Sequence, residues 1–118
     1  MTRIVYDRAG LRLSMEGHAL SGKYGQDIIC AAESMLIMCL EKRLMDFGER
    51  LMLTVKKAPG YISVSARPET EIEELCRESF DTVYAGCALL AEYEPEHVSA
   101  CEYAAENERG ETHWEMMN

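Results

Sequence analysis

Apolar and polar residues alternate at the start of the chain. Leu11, Leu13 and Met15 are interleaved with Arg12, Ser14 and Glu16. A period of two marks a half-buried strand. Ile4-Val5-Tyr6 before it reads as a partner strand, and Asp7-Arg8-Ala9-Gly10 as the turn between them, with Gly10 able to take a positive φ. The alternation breaks from Gly17 to Gln26, where three glycines and one histidine sit. A helical stretch follows, about Asp27 to Phe47, with Gly48 as its stop. Its apolar positions are Ile28, Ile29, Ala31, Ala32, Met35, Leu36, Cys39, Leu40 and Leu44, a face so broad that much of the helix is expected to be buried.

Period two returns at Leu51, Leu53 and Val55. It recurs after the Ala58-Pro59-Gly60 turn, at Ile62, Val64 and Ala66. Thr70 and Glu73 have the spacing of a capping box. A second helix is predicted from there to about Tyr93, with its stripe at Ile72, Leu75, Cys76, Phe80, Val83, Cys87 and Leu90 and its end at Pro95. His97 to Ala105 reads as a last strand. The order β-β-α-β-β-α-β, joined by hairpin-like turns, predicts an α+β two-layer domain: a mainly antiparallel sheet with two helices packed on one face. The other sheet face is left to solvent or to a partner subunit, and Met52, Tyr61 and Tyr103 favour the partner. A single domain is expected over residues 1–106, followed by an acidic polar tail, 107–118.

Composition narrows the function. With 118 residues, 47% of them hydrophobic, the chain can build one core. Twelve Lys and Arg face 21 Asp and Glu, a formal net charge of -9. That balance argues against direct nucleic-acid binding and against an anionic membrane surface. It suits a basic partner, or serves solubility alone. The five cysteines are odd in number and none falls in a CxxC pair, so reduced thiols in a cytoplasmic protein are expected rather than a disulfide framework or zinc ribbon. His18, His97, His113 and the cysteines lack ligand spacing, so no metal or other cofactor is expected. Neither a signal peptide nor a membrane helix is read in the chain.

Chemistry concentrates where the alternation fails. His18 ends a strand, and Cys30 is expected in the first turn of the helix. A thiol attacks a carbonyl as its thiolate, and a free cysteine has a pKa of about 8.5. Unpaired N–H groups at a helix start and a nearby imidazolium both favour the anion. The same N–H groups could receive an oxyanion. Read alone, Cys30 also fits a small buried hydrophobe and His18 a surface residue. Asp27 fits an N-cap as well as a group that orients His18. Ser34, one turn after Cys30, has no evident base.

Gly17-His18-Ala19 followed by Gly25-x-Asp27-Ile28-Ile29-Cys30-Ala31-Ala32-x-Ser34 resembles the signature of the ribosomal-processing cysteine protease Prp family. The resemblance implies an α+β homodimer acting in ribosome assembly, with the N-terminal extension of ribosomal large-subunit protein twenty-seven as substrate. By position it implies Cys30 as nucleophile, His18 as base, Asp27 as supporting acid, and Gly17 and Gly25 framing a mobile loop. A basic ribosomal protein precursor is consistent with an acidic enzyme. Glu33 departs from the pattern, where a small or apolar residue is usual. Its carboxylate would raise the thiol pKa, repel substrate, or point to solvent. If it removes turnover, the chain is a non-catalytic homodimeric interaction module of the same fold; the other alternative is a protease with a different substrate.

Overall fold

The fold comes from a computed structural model, which describes the backbone of residues 1–17, 24–104 and 113–116 and the side chains of 1–17 and 28–103. The elements are β1 (Thr2–Asp7), β2 (Arg12–Glu16), α1 (Tyr24–Met45), β3 (Leu51–Ala58), β4 (Tyr61–Pro68), α2 (Glu73–Tyr93), β5 (Val98–Ala104) and β6 (His113–Met116). They form one sheet in the order β3-β4-β2-β1-β5-β6. Each neighbouring pair is antiparallel except β1 with β5, which α2 makes parallel by carrying the chain back across the sheet. This is the expected α+β two-layer architecture, with one strand more than the sequence pattern indicated. β6 lies inside the stretch read as a polar tail. It is short, with backbone pairs from Cys101–Met116 to Ala104–His113, and so carries little periodicity of its own.

Alternation along each strand decides the layers. Ile4, Tyr6, Leu13, Met15, Val64, Ala66, Val98 and Ala100 are all buried on one sheet face, against Ile29, Ile37, Leu40 and Leu44 of α1 and Cys76, Phe80, Tyr84 and Cys87 of α2. Tyr6 stacks on Phe80 with ring centroids 6.0 Å apart and tilts against Tyr84 at 5.0 Å. Its hydroxyl donates to Asp81 Oδ1 at 2.6 Å. Arg8 donates to both oxygens of the same carboxylate, through Nε at 3.0 Å and Nη2 at 3.1 Å. The β1–β2 turn is thereby tied to α2.

Several local expectations are corrected. The positive φ in the first turn belongs to Leu11 (52°), whose side chain is buried, and not to Gly10. No capping box forms at Thr70 and Glu73: a 3-10 turn, Thr70–Ile72, leads into α2, and neither start has a side-chain cap. α1 begins at Tyr24, ahead of Asp27. Its inward stripe is Ile29, Glu33, Ile37, Leu40 and Leu44. Ile28 (74% exposed), Met35 (61% exposed) and Cys39 face outward instead. The sheet offers α1 one face, so a helix apolar all round must leave half its apolar positions uncovered within one chain. For the same reason Leu75 of α2 is exposed.

Candidate active site

α1 enters the domain beside the open ends of β1 and β2 and the β3–β4 hairpin. Cys30, Glu33, Ser34, Ile37 and Met38 from α1 line one wall of a pocket there. Thr2, Met15 and Gly17 line a second wall, and Lys57, Ala58, Gly60, Tyr61 and Ile62 a third, giving a volume of about 370 Å³. Glycine holds the corner. Gly17 has φ 103°, and its N–H donates to Gly60 O at 2.8 Å. A Cβ at Gly17 would collide with the backbone carbonyl oxygen of Met1. The end of β2, the start of β1 and the hairpin are therefore locked together where His18 follows in the chain.

Cys30 is partly exposed, and its Sγ lies 4.0 Å from Ser34 Oγ, one helical turn on. Cys30, Ser34 and Gly17 are thus brought to one pocket. Cys30 falls in the second turn of α1 rather than the first, because the helix starts at Tyr24. The helix-start N–H groups without intrahelical partners are those of the turn before it, and the dipole effect on the thiol is reduced accordingly. Gly25 lies in that first turn, inside the helix and not in the preceding segment. The Asp27 backbone is in the same turn, which removes it from the N-cap position. All of His18 and the Asp27 side chain lie outside the described residues.

Glu33 does not point to solvent. It occupies a core position on α1 and is 7% exposed. Burial pushes its carboxyl above the ordinary value; the Thr2 hydroxyl and the N-terminal ammonium act in the opposite direction without reversing it. Neither Glu33 Oε1 nor Thr2 Oγ1 finds a well-formed hydrogen bond. The pocket also contains residues that no motif marked: Met15, Ile37, Lys57 and Ile62. Period-two spacing marked Met15 and Ile62 for burial; Ile37 lies outside the apolar positions read on the helix, and Lys57 is exposed. Nothing local announced that the β3–β4 hairpin would share a pocket with Cys30 to Met38 of α1, because the pairing of β4 with β2 is a non-local contact.

What this pocket can do is bind an extended segment beside an accessible thiol. Residues 1–99 match the family described as cysteine protease Prp. The chain belongs to that family. Among solved structures, SMU.848 from Streptococcus mutans is 28% identical with a TM-score of 0.66, over 86% of this chain and 90% of that one. The essential ribosomal processing protease Prp from S. aureus in complex with a substrate peptide has the same TM-score at 17% identity, over 86% of this chain and 96% of that one. The same S. aureus protease with a covalently linked product peptide gives 0.64 at 18% identity, with the same coverage. At these identities the two S. aureus complexes establish likeness of fold. No curated protein sequence matches the chain.

Proposed function

We propose that this Prp-family chain is a cytoplasmic cysteine endopeptidase of ribosome assembly. Its substrate is a basic ribosomal protein precursor, large-subunit protein twenty-seven, from which it removes an N-terminal extension. The observation that carries this reading is that Cys30 opens into a pocket whose corner is Gly17, the residue directly before His18. His18 takes the Cys30 proton, and the thiolate attacks the scissile carbonyl carbon. The tetrahedral intermediate collapses as His18 gives the proton to the leaving amine. Water, deprotonated by His18, then hydrolyses the thioester and restores the thiol. Asp27 supports the imidazole, Gly17 and Gly25 bound the segment that brings it in, and Ser34 lies beside the sulfur. A ribosomal substrate is supported by the S. aureus relative, a ribosomal processing protease seen with a substrate peptide bound. A homodimer follows from the family resemblance.

The test is incubation of the full chain with the cell's own ribosomal precursor protein, followed by mass measurement of the products. One cut near the precursor's N-terminus is expected. Cys30→Ala should leave the precursor mass unchanged, a loss of at least ~10³-fold in rate. Undiminished cutting by that variant removes Cys30 from the mechanism. A second reading, a non-catalytic module of the same fold, draws on the carboxyl of Glu33 in the pocket wall.

A further inference from the structure

We propose that Glu33 is a specificity-determining residue of the Cys30 pocket, where it receives a Lys or Arg side chain of the bound peptide. This rests on the peptide-cleaving reading above and deepens it. A carboxyl at a core position of α1 needs a reason. Glu33 is 7% exposed, its Oε1 has no well-formed hydrogen bond, and among the described residues no Lys or Arg pairs with it; only the Thr2 hydroxyl and the N-terminal ammonium favour its charged form there. An unsatisfied buried carboxyl is unfavourable, and an apolar residue at that position would remove the penalty.

Glu33 is also part of a pocket wall, not of a sealed core. It shares that wall with Cys30 and Ser34. The surrounding surface from Met15, Ile37, Met38 and Ile62 is apolar. An apolar channel with a carboxyl in its wall matches a long aliphatic stem ending in a cation, the shape of Lys and Arg. The entering head group would approach the carboxyl from the pocket side and favour its ionised form. Lys57, at the rim, opposes a second cation. It is exposed, however, so water screens it, while Glu33 acts from a low-dielectric position. The net preference is therefore for the cation.

The test is binding rather than turnover. Full-length Cys30→Ala protein is equilibrated with a peptide mixture in which each position is fixed in turn as Lys, Arg, Gln, norleucine or Glu. Retained peptides are quantified by mass spectrometry, in the Glu33, Glu33→Gln and Glu33→Leu backgrounds. At one position Lys and Arg should be retained at least tenfold over norleucine. Glu33→Gln should cut that ratio to about threefold or less. Glu33→Leu should reverse it while raising Tm by about 4 °C, because an unsatisfied carboxyl is replaced by an apolar group of similar size. Equal retention of norleucine and Lys overturns the proposal, as does preferred retention of Glu or an unchanged Lys preference in Glu33→Gln. A fall in Tm for Glu33→Leu with unchanged selectivity assigns Glu33 a structural role and also overturns it. Lys selection without precursor cleavage by the Cys30 parent would sink only the protease reading. Cleavage without basic selection would sink only this proposal.

Discussion

Cys30 differs from its fellow thiols in surroundings. Cys76, Cys87 and Cys101 are buried, and burial pushes all three thiols up, Cys87 to about 12. They are covered, and burial disfavours their thiolates. Cys39 is exposed on the outer side of α1. Selective alkylation therefore reduces to a contest between Cys30 and Cys39. With a catalytic imidazole beside it, Cys30 should react with iodoacetamide at pH 6 about tenfold faster than Cys39, read by peptide mapping. Equal slow labelling of the two would point to the non-catalytic module. Gly17 permits a second residue-level test. Gly17→Ala places a Cβ against the Met1 carbonyl at a positive φ, and should cost about 2 kcal/mol or more of stability in urea unfolding. Unaltered stability would mean the corner is not locked as described. The motif spacing picked out both residues. It could not decide which way Glu33 faces, because that depends on the rotation of α1 against the sheet.

Among the elements, the link between the β1–β2 turn and α2 runs through Asp81. Burial alone would raise its carboxyl, but hydrogen bonds from Arg8 and Tyr6 outweigh that and hold it below its ordinary value of 3.8. A depressed folded pKa contributes stability above the unfolded pKa and loses it as pH falls through the folded one. Asp81→Asn should thus cost about 1 kcal/mol at pH 7, kept small because the carboxylate is 38% exposed. The gap between parent and variant should close as pH falls below the ordinary carboxyl value of 3.8 and through the lower folded one. Urea midpoints at pH 7, 4 and 2.5 measure it, and a gap independent of pH would sink the ionic account. The same tie shifts Tyr6: burial first, then Asp81, drives its phenol far above the ordinary value. Element order and strand faces were legible from periodicity. The starts of both helices were not. α1 begins earlier than its apolar pattern, and α2 follows a 3-10 turn where a capping box was expected.

At the scale of the whole molecule, the two helices cover one sheet face and leave apolar groups outside. Met35 and Met38 on α1 and Met52 on β3 are each more than half exposed. The homodimer proposed with the function predicts a light-scattering mass of twice 13.4 kDa at micromolar concentration. A mass of one chain at that concentration would reject it. Sequence by itself determined the layer architecture, since the alternation of apolar residues fixes which strand face is buried. It also determined the candidate thiol, because the spacing from Gly17 through Cys30 to Ser34 is a property of the chain alone. Only the tertiary structure decided what surrounds that thiol. The pocket is made by β2, the β3–β4 hairpin and α1, which meet through contacts far apart in sequence, and that meeting turned Glu33 inward. Local patterns record how much of a helix is apolar; which side is covered depends on where the sheet lies.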